Sequence, residues 1–301
     1  MPQLEEIRDR IRLTEDLQAV VRSLKAMARV GVHRFASVGT ALDAYAATVE
    51  LALQAYLLDR RHRDAPPLAP FPLPPSGDGG SLGLILFGTD HGLCGAFNER
   101  ILAAAAELRG GGDPAATELA VVGGRLAALL QAREGGDHPV FPLPHAVEGV
   151  TRLVQDLLLL LEGWLGRRQG IGRVVLVHHR ARGTTSSEPV HRQLLPLERQ
   201  WLAALERRRW ESSGLPLVAG KESELFPALL REQFRISLHR ATVESLTSEH
   251  GARLAAMHAA ERNIEERLEE LNQQYRRQRQ NAITDELLDI VAGFEALNRE
   301  S

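Results

Sequence analysis

Cysteine is almost absent: Cys94 is the only one in the chain. A single thiol cannot staple a fold, and no Cys/His cluster has metal-ligand spacing. Disulfide scaffolds and structural zinc are therefore not expected, no metal or cofactor is assigned, and a reducing compartment fits best. Aromatic residues make up 5% of the chain, too few for a platform that stacks single-stranded nucleic acid. Lysine occurs only at Lys25 and Lys221, with arginine supplying the other basic side chains, which reads first as genome composition. The net charge of −3 provides no general field for nucleic acid or an anionic membrane. The longest apolar run, Leu153–Leu165, is interrupted by Gln155, Asp156 and Glu162, so it is too short and too polar to span a bilayer. The start, "MPQLEEIRDRI", is charged from the outset and is not read as a secretory signal.

Proline is missing from Gln3 to Arg63, and only Gly31 and Gly39 interrupt that stretch. Alternating steps of three and four select Leu4, Ile7, Ile11, Thr14, Gln18, Val21, Lys25, Ala28, Val32, Phe35, Gly39, Leu42, Ala46, Val49, Leu53 and Tyr56. Most are apolar or small, which is a heptad stripe. After Pro227 proline is missing again, and Met257, Glu261, Ile264, Leu268, Leu271, Tyr275, Gln278 and Ala282 mark a second stripe. Helices of about 80 and 100 Å would result, too long for one globular core to cover. Two such stripes, one at each end of the chain, predict an intramolecular coiled coil. It is antiparallel if both helices leave a shared middle domain side by side. The expected division is 1–63 for the first helix, 64–80 for a Pro/Gly-rich linker, 81–220 for a sheet domain and 221–301 for the closing helix.

Within the middle, apolar runs alternate with helix-like segments. Strands are expected at Ser81–Phe87, Glu118–Gly123, Arg173–Arg180 and His191–Leu197, with a proline-limited edge strand in His138–Pro144. Helices are expected at Phe97–Leu108, Arg125–Arg133 and Val147–Arg168. The alternation predicts an open, largely parallel sheet with helices packed on it.

The stretch "FGTDHGLCGAFNERI" (Phe87–Ile101) joins a strand to a helix through Gly88, Gly92 and Gly95, which is also how phosphate loops are built. Its spacing is not G-x-G-x-x-G, and no Gly-Lys-Ser/Thr follows, so it fails both nucleotide templates. Cys94 beside a helix start, with His91 as base, would be the alternative, an activated thiol. The simpler reading is a tight turn whose glycines supply special backbone angles, with Cys94 packed. His178 and His179 on one strand point to opposite faces and cannot share a metal. The Gly183–Pro189 stretch reads as a loop or hairpin connection. The arginines of Arg276–Gln280 read as a charged helix surface for a protein partner rather than for nucleic acid. No convincing active site emerges. Three readings remain: a transmitter built on a two-helix rod, an enzyme using the glycine loop, and a coiled-coil scaffold or nucleic-acid adaptor.

The residues also resemble the gamma subunits of F-type ATP synthases. "TDHGLCGAFN" (Thr89–Asn98) is similar to that family's S-D-R-G-L-C-G-G-F-N signature, carried here by Asp90, Gly92, Leu93, Cys94, Gly95 and Asn98. Ser248–Leu297 resembles the family's closing helix in its A-R-x-x-A-M, Y-N-x-x-R-Q and I-T-x-E-L-x-E-I-V-x-G motifs, and Glu6–Ile11 resembles its opening I-R-x-R-I. The resemblance implies an α/β fold: a long antiparallel coiled coil of the terminal helices plus a central Rossmann-like, largely parallel sheet domain. It also implies a central-stalk rotor with no catalytic site of its own, coupling ion flow through a membrane c ring to ATP synthesis or hydrolysis at β subunits. The implied partners are the α and β subunits, the epsilon subunit and the c ring. The implied location is peripheral, at the cytoplasmic face of a bacterial inner membrane. By motif matching, Arg253, Arg279, Gln280, Thr284 and Glu286 would face the α/β hexamer. A rod that turns among three similar contacts should have a polar outer surface with few apolar anchors.

The chain departs from the pattern at Thr89-Asp90-His91, at Ala96 and at Asn281. Its first helix reads "VRSLKAMARVGVHRF" (Val21–Phe35) where the family has T-K-A-M-x-M-V-A-A-S-K. These departures resemble the divergent gamma subunits of N-type F-ATPases.

Overall fold

The computed structural model describes residues 2–65, 81–110, 117–166, 171–212, 214, 216–218 and 221–299. The expected linker at 64–80 lies, apart from its first two residues, outside them.

The two ends form two long helices, α1 (Pro2–His62) and α6 (Glu222–Arg299), the second with Pro227 inside it near its start. Between them lie β1 (Ser81–Phe87), α2 (Phe97–Arg109), β2 (Thr117–Val122), α3 (Gly124–Glu134), β3 (Val140–Phe141), α4 (Glu148–Leu165), β4 (Ile171–Arg182), β5 (Ser186–Leu195) and α5 (Arg199–Arg207). The chain divides into two compact units, Met1–Ala28 with Leu254–Ser301, and Arg29–Arg253.

In the first unit the heptad stripes are the covered faces. Val21, Ala28, Leu254, Met257 and Leu271 are buried, while Leu4, Ile7, Ile11, Ile264, Leu268, Tyr275 and Ala282 are half-covered. Each fully buried apolar side chain of such a seam contributes about 1.5–3 kcal/mol. Two polar seam positions pair across the helices, Lys25 Nζ lying 2.5 Å from Glu261 Oε2, and Arg22 beside the seam adds its Nε at 3.5 Å from Oε1. The Lys25 hydrogen bond, ahead of other influences, holds the Glu261 carboxyl below its usual range.

In the second unit the pairing direction is explicit. Phe35 stacks on His250, Arg240 donates to Asp43 Oδ1 at 2.6 Å, and Tyr45 donates to Glu232 at 2.7 Å. Numbers rise on α1 as they fall on α6, so the helices run antiparallel, as expected. Further along, Ala46, Val49, Leu53 and Tyr56 of α1 pack with Leu205 of α5 and Ile236 of α6.

The sheet has strand order β3-β2-β1-β4-β5, with β5 alone antiparallel. β1 is central, so both of its faces are buried and it reads as an unbroken apolar run. Leu84 and Leu86 point to α2 and α3, where Ile101, Leu102, Leu126 and Leu130 cover them. Ile85 and Phe87 point the other way, to α4 and to Leu230, Phe234, Leu238 and Leu246 of α6. The expected edge strand is β3, cut to two residues by the prolines around it.

Two elements differ from expectation. β5 begins at Ser186 rather than His191, so much of the stretch read as a loop is strand, and only Gly183–Thr185 forms the turn. Strand status there comes from pairing with β4 (Ala181 opposite Ser187, His179 opposite Pro189), which a polar edge sequence does not announce. Nothing in the sequence reading covered α5, a short helix whose Trp201, Leu202 and Leu205 pack toward α1 and α6.

Candidate functional site

The signature turn is held by its own side chains. Thr89 N–H donates to Asn98 Oδ1 at 3.1 Å, Asn98 Nδ2 donates to Thr89 Oγ1 at 2.9 Å, and Thr89 Oγ1 donates to the His91 carbonyl at 2.7 Å. Asp90 accepts from Gly124 N–H at 2.6 Å and from Leu143 N–H at 2.9 Å. The Thr89 carbonyl accepts from the N–H groups of Arg125 and Leu126. The first N–H groups of α3 have no partner inside the helix, and their partial positive charge favours an anion. Here Asp90 is that anion. The start of α3 thus carries a carboxylate from the β1–α2 turn, while the start of α2, the helix that the glycine loop itself opens, has no side-chain cap at Ala96.

The glycines do three different things. A Cβ on Gly88 would lie 2.4 Å from Leu126 Cβ, so this residue permits close packing. Gly95 has φ +60° and supplies the expected left-handed angle. Gly92 does neither: its φ is not in the left-handed region, and a Cβ would meet nothing within 4 Å. The expectation that these glycines serve special angles holds for Gly95 and is corrected for Gly88 and Gly92. The second left-handed residue is Leu93 (φ +67°), whose side chain is 60% exposed.

Cys94 is buried and its Sγ lies 3.4 Å from the Gly92 carbonyl. Burial pushes its thiol up to about 12, far from thiolate at neutral pH. The His91 ring stacks against His145 instead. The histidine pair divides as the strand geometry requires. His178 meets Glu244 at 2.8 Å on one face, and His179 meets the Phe97 carbonyl at 3.0 Å on the other. Both are fully buried. Among the described residues no group of three or more His, Cys, Asp or Glu could hold a metal ion.

Arg253 lies near this turn rather than on an open surface. Its Nη2 is 2.7 Å from Glu249 Oε1, and the two side chains are only 13% and 8% exposed. Both charges act on the Cys94 thiol, and burial raises the Glu249 carboxyl despite Arg253. Spacing in the sequence did not reveal this meeting of Arg253 with the turn. Arg279, Gln280, Thr284 and Glu286 are exposed on α6, where Thr284 Oγ1 donates back to the Gln280 carbonyl.

The outer surface of the first unit corrects one expectation. It is not simply polar: Leu13, Leu17, Val20 and Met27 on α1, and Ile283, Leu287, Leu288, Ile290 and Val291 on α6, are each at least half exposed. On α1 these residues lie off the seam; on α6, residues 283–291 are exposed on every face, because the antiparallel register set by Lys25–Glu261 brings the start of α1 level with about Ala282. Apolar patches of this kind mark surfaces that a partner covers.

A family model described as ATP synthase matches residues 3–297. The chain belongs to the ATP synthase gamma-chain family. Full-length relatives agree. A protein named ATP synthase gamma chain from Sulfurovum sp. (strain NBC37-1) is 25% identical over 304 residues, covering 99% of this chain and 100% of the relative. One of the same name from Nostoc sp. (strain PCC 7120 / SAG 25.82 / UTEX 2576) is 29% identical over 326 residues, with 99% and 100% covered. Among solved structures, a chain of the Euglena gracilis mitochondrial ATP synthase (OSCP/F1/c-ring) matches with TM-score 0.63 at 17% identity, covering 98% of this chain and 95% of that one. A chain of the Tetrahymena thermophila mitochondrial ATP synthase central stalk/c-ring matches with TM-score 0.55 at 18% identity, covering 80% and 99%. A gamma chain of this family is a central-stalk subunit of a rotary ATP synthase.

Proposed function

We propose that this gamma chain is the rotor that couples ion movement through a membrane c ring to ATP synthesis or hydrolysis at the β subunits of an α/β hexamer. It binds no nucleotide itself. The observation that carries this reading is the paired heptad seam of α1 and α6, whose uncovered side presents both charges and large apolar residues. A helix pair of that surface suits enclosure by a sleeve of partner subunits. On this reading Arg253, Arg279, Gln280, Thr284 and Glu286 face the hexamer, and the sheet domain meets epsilon and the c ring. The working division is 1–63, 64–80, 81–220 and 221–301. Among the described residues no helix is long and apolar enough to cross a membrane. Attachment at the cytoplasmic face of a bacterial inner membrane therefore runs through the c ring. The departures of the first helix favour an N-type complex.

The glycine spacing of the turn, which fits neither nucleotide template, supports the lack of a nucleotide site. The turn is instead braced internally, with Asp90 on Gly124 N–H and Asn98 on Thr89 N–H. Calorimetry of the isolated chain with ATP and ADP should give no heat of binding; micromolar affinity would overturn this part. The rotor role is tested by co-expression with α and β subunits and by truncation before Ala282. The full chain should co-purify and support coupled synthesis, while the truncated chain should lose coupling. Unchanged coupling after truncation would remove the role given to the last turns.

A further inference from the structure

The apolar faces of α6 hold it to the sheet through Leu230, Phe234, Leu238, Ala241 and Leu246. Such contact is non-directional. It sets which face of the helix is buried through shape alone, and directional contacts add a further constraint on rotation and sliding. The segment from 244 to 253 adds what the apolar face lacks. Glu244 Oε2 accepts from His178 Nε2 at 2.8 Å and from Arg180 Nε at 3.4 Å. Ser248 Oγ donates to the His179 carbonyl at 3.3 Å. One turn on, Gly251 sits so close to the β4–β5 turn that a Cβ would lie 2.9 Å from the Thr184 carbonyl.

At about 100° per residue, Glu244, Ser248 and Gly251 fall within about 60° of one another on the helix, and His250 and Glu249 lie about 130° to either side. His250 faces α1, stacked on Phe35 with ring centroids 5.6 Å apart and seated where Gly31 has no side chain. Glu249, with Arg253, faces the signature turn. The helix is thus gripped from three directions within ten residues, by directional polar contacts on the sheet side and by shape on the α1 side.

We propose that residues 244–253 of α6 form a fixed collar, in which Glu244, Ser248 and Gly251 set the rotation and height of the helix on β4, so that torque applied at the sheet domain passes into the helix pair. Glu244 and Ser248 are then positioning residues for coupling, not for catalysis. The collar rests on the rotor reading above. It accounts for buried Ser248 and half-buried Glu244 on this face of α6, whose hydrogen bonds to β4 give directional constraints that apolar side chains there would not make.

The test uses the whole complex in vesicles, with the double variant Glu244→Ala/Ser248→Ala. ATP hydrolysis by the complex of this chain with α and β should stay within about twofold of wild type, while ions moved per ATP fall by about twofold to tenfold. A role in stability alone would leave that ratio unmoved. An assembled variant with an unchanged ratio, or with hydrolysis and transport reduced in equal proportion, overturns the collar. If the double variant does not assemble, Glu244→Gln, which keeps the shape, and Ser248→Ala alone are read in the same way. Failure of the wild-type chain to assemble with α and β is a different result, and it sinks the rotor reading itself.

Discussion

Replacing Gly31 by alanine sets two opposed effects against each other. In a helix interior alanine is favoured over glycine by about 0.5–1 kcal/mol, because the unfolded glycine is more mobile. At this position, however, the new Cβ would lie 2.5 Å from His250 Nδ1 and 2.6 Å from Cγ. The imidazole cannot easily retreat, since it is stacked on buried Phe35, and its burial lowers its pKa to about 4. Overpacking of this kind costs about 1–3 kcal/mol. The clash should win, leaving Gly31→Ala destabilised by up to about 2 kcal/mol. In a His250→Ala background the obstacle is gone, and the same substitution should stabilise by about 0.5–1 kcal/mol. Urea unfolding of the full chain, followed by circular dichroism in a double-mutant cycle, measures the coupling. Gly39 is an internal control, because its Cβ would reach only Val243 at 3.9 Å, so Gly39→Ala should stabilise in either background. If Gly31→Ala stabilises equally with and without His250, the packing argument is wrong.

Asp90→Ala strips a partner from the N–H groups of Gly124 and Leu143, and thermal unfolding should show a loss of about 1–3 kcal/mol. An unchanged midpoint would mean that water replaces the carboxylate freely. Cys94 should react with a thiol reagent at neutral pH only slowly in the folded chain and rapidly in urea, since burial holds the thiol at about 12. Equal rates would contradict its packed position. Acid should destabilise the fold through buried histidines. His179 and His250 are lowered from 6.5 to about 4, and His178 is lowered as well, each chiefly by burial. Between those values the unfolded chain binds more protons than the folded one, so stability should fall as pH drops from about 6.5 toward 4. His250→Phe, which cannot titrate and keeps a ring on Phe35, should flatten part of that slope; an unaltered slope would exclude His250 as a contributor.

The heptad stripes were legible because periodicity is local. Every position selected by threes and fours from Leu4 to Tyr56, and again from Met257 to Ala282, is buried or half-buried. β1 and β4 were legible for a related reason: a strand covered on both faces is an unbroken apolar run. β5 was read only in its second half, because an edge strand of Ser, Glu and Pro owes its conformation to β4. α5 was missed because its buried residues meet partners from α1 and α6, far away in sequence. In the signature turn, the failed templates were visible in the spacing of the glycines. That Asp90 occupies the start of α3 was not, since it depends on where β2 ends beside β1.

The chain's own letters therefore determine the two helices, the stripe that joins them, the alternation that builds the sheet and the family. Each follows from repeats within a few turns or from short motifs. Tertiary structure decides what surrounds each polar group. It turns Arg253 inward to Glu249, seats His250 over Gly31, sets Glu244 on His178 and leaves Ile283 and Leu287 uncovered. Burial and partner choice depend on residues brought together from distant parts of the chain, and no local pattern encodes that meeting.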